Sequence, residues 1–390
     1  MTPGSLAAAL LAFLAALYAA TDPLRIGPTV GFPDFRAIHV EQPSPAQLGD
    51  FQGDPHNRLA ARAEVRFSGQ VCGPESIAFD PQGRGPYTGI CDGRVLRWDE
   101  EQQAWIEFAV TSSNRSACAP KDPPRPNLAN EHICGRPLGL RFKKSSSELY
   151  IADAYKGLLV VGSQGGLASP LVTEVEGQPL LFTNDLDLDE DGCVYFTVTS
   201  SKYQRRNFIL PILEGDDTGL LLKYDPSTKQ VSVLLRGLQF PNGVSMSKDY
   251  SFLVFAETTN GKLTRYWLKG PKAGTPELFA ILPGHPDNVR TNENGEFWVA
   301  IHALRKPVMR FLGPRPRLRD FLVKLPIPAK MITGGGPYAL ILKYDADGKL
   351  IDALEDHKGQ VASYVSEAEE HDGHLWLGTV LLNKIVVYKL

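Results

Sequence analysis

FTNDLDLD, residues 182–189, decides how the rest of the chain is read, because its pattern of a short turn and a strand-like run returns five times. GPESIAFD (73–80), RPLGLRFK (136–143), FPNGVSMS (240–247), HPDNVRTN (285–292) and YVSEAEEH (364–371) align beneath it. The third positions hold Glu75, Leu138, Asn184, Asn242, Asp287 and Ser366, so four of the six are a carboxylate or a carboxamide. Copies related by rotation about an axis bring those four side chains together.

Working outward, each octet opens a set of short strands. After FPNGVSMS come SFLVFAET (251–258), KLTRYWL (262–268) and ELFAIL (277–282), and the third and fifth copies repeat this plan. DEDG (189–192), TTNG (258–261), NENG (292–295) and DADG (345–348) separate strands with the Asn/Asp-Gly chemistry of hairpin turns. Copies start about 45 to 80 residues apart, which suits four-stranded propeller blades with loop insertions. The expected fold is all-β, a six-bladed β-propeller. The last copy supplies too few strands before Leu390, and RAEVRF (62–67) is the donor that closes the ring by pairing into the C-terminal blade. Two stacked sandwiches explain neither the phase of the copies nor the short last one.

Composition narrows the function. The chain of 390 residues is 43% hydrophobic, and a formal charge of −3 gives no global electrostatic reason to bind nucleic acid. LAAALLAFLAALYAA (6–20) is an unbroken apolar run and reads as a signal peptide or an uncleaved signal anchor over residues 1–20. Pro-rich residues 21–57 read as an extended lead-in, leaving 58–390 for the propeller. Of five cysteines, Cys118 and Cys134 are expected to close a short loop, Cys193 reads as a buried free thiol, and the pairing of Cys72 with Cys91 stays open. Asn114 heads an Asn-Arg-Ser glycosylation sequon just before that loop, which agrees with a secretory route.

Two insertions interrupt the repeats, at 200–217 and 304–337. The second carries Arg305, Lys306, Arg310, Arg315, Arg317, Arg319, Lys324 and Lys330 against one acid, Asp320, with Phe311 and Phe321 interleaved. Contact with an anionic membrane surface, a lid over the channel and a solvated loop are the three readings of it.

Glu75, Asn184, Asn242 and Asp287 form a hard-oxygen set of the kind that suits Ca2+, with Asp185 and Asn288 one residue further on as supporting or extra ligands. The competing reading has these side chains capping turns and bonding one another without metal. His132, His285, His302 and His371 lie near strand ends, and His302 is the preferred general base because its strand runs beside Asp287. The chain has no Gly-x-Ser-x-Gly elbow, phosphate-binding loop or His-Glu-x-x-His, and GRGPYTG (83–89) reads as a hairpin.

RGPYTGICDGRVLRW, CGRPLGLRF, LYIADAYKGLLVV, LEGDDTGLLLKYDPSTK and EHDGHLWLGT, together with the octets, resemble plant strictosidine synthase-like proteins from residue 73 to the C-terminus. The resemblance implies a six-bladed propeller, a disulfide before CGRPLG, and a secretory, vacuolar, endoplasmic reticulum or extracellular location. Strictosidine synthase joins tryptamine to the aldehyde of secologanin with a glutamate as acid-base residue, and that position falls on Ser366. A hydroxyl does not hold and exchange a proton near neutral pH as a carboxylate does, and strand alternation turns Glu367 away, so this condensation is not expected. The wider superfamily includes calcium-dependent lactonases and esterases of the gluconolactonase and paraoxonase type, whose metal rests on Glu, Asn, Asn and Asp. The leading expectation is metal-assisted hydrolysis of a small ester or lactone, and the alternative is a propeller that binds without turnover.

Overall fold

Hairpin turns set the architecture. Gly192 and Gly295 take φ of 82° and 83°, and the residue ending each octet closes the turn ahead of it. Asp189 Oδ1 accepts the amides of Asp191 and Cys193, and Asn292 Oδ1 accepts those of Asn294 and Glu296. The computed structural model describes residues 3–21, 28–48, 51–121, 123–126, 128–325 and 336–390. Their main sheets are six, each of four or five strands, arranged as the blades of a propeller. The inner strands are Ile77–Ala78, Pro137–Phe142, Thr183–Leu188, Pro241–Met246, Gly284–Thr291 and Val365–His371, one from each octet.

Both faces of a blade are buried against neighbours, so its strands are apolar on both sides. Phe297, Val299 and Ile301 face Phe252 and Val254 of blade 4, while Trp298 and Ala300 face Ala368 and Leu377 of blade 6. The core is accordingly a ring of inter-blade clusters. Glu64–Arg66 closes that ring as expected, pairing antiparallel with Ile385–Lys389 through Glu64 opposite Val387 and Arg66 opposite Ile385. The helix Arg58–Arg62 adds a clasp, with Leu59 buried between blades 5 and 6 and Arg58 Nη2 donating to Asp352 at 2.6 Å. Disulfides join Cys118 to Cys134 and Cys72 to Cys91, and Cys193 is a buried free thiol.

Five inner strands shift register within their octet, at Pro137/Leu140, Thr183/Leu186, Pro241/Val244, Pro286/Val289 and Val365/Glu367. Such a bulge re-aims side chains and lets two consecutive residues address the axis. Blades meet there so closely that a Cβ on Gly243 would lie 2.4 Å from Cα of Asn288, and one on Gly139 would lie 2.7 Å from Cα of Asp185.

Both insertions sit at the end where the octets begin. The first forms the helix Ile209–Glu214, and the second forms Pro307–Leu312 and Pro316–Val323. Leu213, Leu312 and Val323 pack together with Phe35 of the lead-in. The lead-in is an ordered strap here, since Ile38 N donates to Glu214 O and Val40 N to Gly313 O. Buried Arg319 ties the same parts by donating to the carbonyls of Gly313 and Ile38. The N-terminal helix Pro3–Thr21 lies against Pro316–Val323. No helix among the described residues is long and apolar enough to cross a membrane.

Gly243→Ala should lower stability by about 1–3 kcal/mol through overpacking at the axis. Gly162→Ala, where an added Cβ meets nothing within 4 Å, should be near neutral. Urea unfolding of the two variants beside the parent chain checks both.

Candidate functional site at the channel mouth

The two asparagines are aimed by a shared device. Asn184 Nδ2 donates to Thr199 Oγ1 at 2.8 Å, and Asn242 Nδ2 to Thr258 Oγ1 at 3.1 Å. Each threonine then donates to the next blade, Thr199 to Pro241 O and Thr258 to Pro286 O. With its amide nitrogen spent, Asn242 turns a buried Oδ1 that accepts no hydrogen bond among the described residues. Asn288 Nδ2 bridges Glu75 Oε1 at 2.9 Å and Glu367 Oε2 at 3.0 Å, which leaves Asn288 Oδ1 and Glu75 Oε2 equally without a donor. Buried polar atoms in native proteins are almost always paired, so three orphaned oxygens on linked side chains single this place out as the candidate site.

Glu75, Asn184, Asn242, Asp287 and His302 line one cavity of about 100 Å3. Its walls are apolar, from Leu138, Phe182, Phe208, Ile212, Phe240 and Val380, and Arg205 stands at the rim. The first insertion supplies Arg205, Phe208 and Ile212, so the part of a lid that touches the cavity comes from 200–217, braced from behind by the helices of 304–325.

Beneath the cavity the channel is filled with charge. Arg290 is buried and holds Asp185 through Nη2 at 2.9 Å and Glu367 at 2.6 Å. Arg141 lies 3.4 Å from Glu369 and 3.7 Å from Asp187. Six axial carboxylates, Glu75, Asp185, Asp187, Asp287, Glu367 and Glu369, thus face Arg290 and Arg141, and buried Arg136 also feels the charge of Glu75. Burial, and then the charges of Asp287, Glu367 and Asp185, push Glu75 well above the ordinary carboxylate range.

His302 occupies the strand-exit place that Thr199 and Thr258 hold in blades 3 and 4, one residue after the partner of Pro286, and its Nδ1 is 3.4 Å from Asp287 Oδ2. His285 is half-buried with Nδ1 at 2.9 Å from Thr258 O, and desolvation lowers its imidazole to about 4. His371 stacks on Phe79 at 3.7 Å at the end of its octet, and His132 is exposed outside the cavity. Ser366 is fully buried and donates Oγ to Glu75 O at 2.7 Å, a structural bond.

Glu367 corrects the expectation from strand alternation. The bulge between Val365 and Glu367 keeps its carboxylate at the axis, accepting from Asn288, Arg290, Ser76 Oγ and the Ile77 amide. Asp185 is saturated by Arg290 and the Val244 amide, whereas Asn288 presents a free oxygen. Sequence reading missed Arg290 and the orienting Thr199 and Thr258, although the hydroxyls ending FTVT (196–199) and VFAET (254–258) were the available signal.

A propeller with an axial oxygen set under an apolar mouth is the class that fold and site define. Residues 184–271 match the strictosidine synthase family, and residues 57–98 match the N-terminal segment of strictosidine synthase-like proteins. The chain is 51% identical over 380 residues to protein STRICTOSIDINE SYNTHASE-LIKE 3 of Arabidopsis thaliana, covering 96% of each. It belongs to the strictosidine synthase-like family. Among solved structures it is similar to a gluconolactonase of Xanthomonas campestris, with a TM-score of 0.54, 16% identity and coverage of 87% and 94%. It is also similar to a regucalcin of Agrobacterium tumefaciens, described as a calcium-binding protein, with a TM-score of 0.53, 14% identity and coverage of 84% and 93%. These two likenesses concern the fold.

Burial pushes Glu369 up from 4.5 to about 7, with Glu367 adding to it against the pull of Arg141. A carboxyl raised in the folded state favours folding below its unfolded value, and that contribution is lost as pH climbs through about 7, costing about 3 kcal/mol. Glu369→Gln removes the loss. Its melting temperature relative to the parent should rise between pH 5 and pH 8 in a thermal melt without added metal, and a flat difference would refute the assignment.

Proposed function

We propose that this protein is a metal-assisted hydrolase of small esters or lactones with an apolar body, using Ca2+ held at the channel mouth. The observation that carries this reading is the orphaned set of Glu75 Oε2, Asn242 Oδ1 and Asn288 Oδ1 beside Asn184 and Asp287. Neutral amide oxygens and carboxylates from several rigid strands are what a hard cation with six to eight oxygen ligands takes, and the acid excess below supplies the field. Glu75, Asn184, Asn242, Asp287 and Asn288 would hold it. When bound, the cation polarises the ester carbonyl and steadies the developing oxyanion.

The chain's own residues do the rest. Phe182, Phe208, Phe240 and Ile212 take the apolar body of the substrate and exclude water around it. His302, beside Asp287, accepts the proton of the attacking water. Arg205, fixed by Glu131 at 2.7 Å, stands where a leaving carboxylate or phenolate emerges. The hydroxyl of Ser366 is spent on Glu75 O, which speaks against an acid-base role there and so against amine-aldehyde condensation. A secretory route is supported by the two disulfides, which persist in oxidising compartments, and by the sequon at Asn114.

Phenyl acetate and an alkyl-substituted lactone should be turned over, with activity lost to EDTA and restored by Ca2+. Thr258→Val frees the Asn242 amide to turn and should weaken Ca2+ binding about 10–100-fold by calorimetry. Because Glu75 holds its proton to higher pH, Ca2+ affinity should rise with pH over that range. No turnover on either substrate class, together with a melting temperature indifferent to Ca2+, would leave the non-catalytic binding propeller as the reading.

A further inference from the structure

The insertion 304–325 divides its basic residues between two tasks. Arg319 is buried on the carbonyls of Gly313 and Ile38, and Arg305 donates to Gln42 Oε1 and Asn260 O, so both are spent inside the cap. Lys306, Arg310, Arg315, Arg317 and Lys324 are exposed, and none has an acidic partner among the described residues. The one acid of the segment, Asp320, is turned inward to accept the Ala37 amide at 2.6 Å. The cationic face is therefore uncompensated.

Apolar side chains stand among these cations. Val308 is 39% exposed and Phe311 is 53% exposed, with the Arg315 guanidinium 4.0 Å over the Phe311 ring. Leu312 and Val323 point the other way, into the small core shared with Leu213, and Met309 is buried as well. Phe208 and Leu381 are also exposed, at the rim of the cavity itself. The N-terminal helix Pro3–Thr21, with Leu10, Leu11, Phe13 and Leu14 exposed, lies against Pro316–Val323 on this same side. Two separate segments, one basic with aromatic interleaving and one predominantly apolar and without a charged side chain, thus meet beside the channel mouth.

We infer that this cap is a docking surface for an anionic phospholipid bilayer, which it meets with Phe311 and Val308 inserted and Arg310 and Arg317 among the headgroups. Insertion of an apolar edge ringed by arginines is how interfacial helices bind, and the negative surface potential supplies the complement to the unpaired cations. The helix Ile209–Glu214 links the surface to the cavity, because Leu213 packs into the cap core while Ile212 lines the cavity. Docked in this way, the mouth opens next to the bilayer and draws an apolar ligand from it.

Cys193 is buried and the other cysteines are paired, so a cysteine introduced at the surface can be labelled alone. Phe311→Cys carrying a nitrobenzoxadiazole dye reports insertion, and Thr228→Cys, in a turn at the opposite end of the propeller, is the control. With full-length protein and phosphatidylcholine vesicles containing phosphatidylserine, the dye at 311 should brighten and shift to the blue while the dye at 228 does not. The shift should be lost in 1 M salt, where screening falls to about 3 Å, and in Arg310→Glu/Arg317→Glu. Arg310→Gln/Arg317→Gln should retain part of it, and the unchanged melting temperature of both pairs shows that they fold. Three outcomes overturn the inference: cosedimentation with no shift at 311, which assigns binding to the N-terminal helix alone; an equal shift on phosphatidylcholine alone; or indifference to charge reversal, as expected if the face serves a protein partner.

Discussion

The arrangement at the axis depends on one buried guanidinium. Arg290 comes from blade 5 and holds Asp185 of blade 3 and Glu367 of blade 6, so three blades are fixed by a single ion-pair cluster. A charge taken from water costs several kcal/mol, recovered only when every partner is well placed, and the bulged inner strands and Gly243 provide that placement. Once Arg290 has fixed Glu367, Asn288 bridges Glu367 and Glu75, and the free oxygens above follow from that bridge. Six carboxylates outnumber Arg290, Arg141 and Arg136, an excess of negative charge at the axis that a cation would offset.

The blade count, the closing strand and the place of the four aligned polar residues were legible because they depend on local chemistry. Asn/Asp-Gly turns, alternating apolar runs and a truncated last copy each have a direct structural meaning. The bulge was not legible. Period-two alternation assigns Glu367 to the outer face, and an irregularity in the ladder between Val365 and Glu367 reverses that reading without any marker in composition. The cavity walls were hidden for another reason. Phe208 and Ile212 lie in an insertion whose position over the mouth is set by packing on 304–325 and on the lead-in, contacts between segments far apart in sequence.

The rim also joins the disulfide framework to the site. Cys134 ends the short helix that begins at Glu131, and buried Glu131 accepts Arg205 and the Tyr155 hydroxyl. The cation at the mouth is thereby held by a loop that the Cys118–Cys134 bridge pins, so oxidative folding and the shape of the opening are linked. Ser366 illustrates the reverse situation. There a hydroxyl stitches the last blade to the first by donating to the Glu75 carbonyl, a structural bond.

Ring closure by Glu64–Arg66 has a consequence for biosynthesis. The closing partner, Ile385–Lys389, lies more than 300 residues after Glu64–Arg66, so the sheet cannot be completed until every blade between them has been made. Until then the growing molecule is an open crescent with an unpaired strand edge and an apolar blade face at each horn, the species most prone to associate with its own kind. Contacts between the two ends of a chain form slowly, because the loop entropy must be met before any contact rewards it. The closing strand therefore acts as a checkpoint: only a chain that carries both Glu64–Arg66 and Ile385–Lys389 can become a closed ring, and the crescent is what the folding machinery has to shelter.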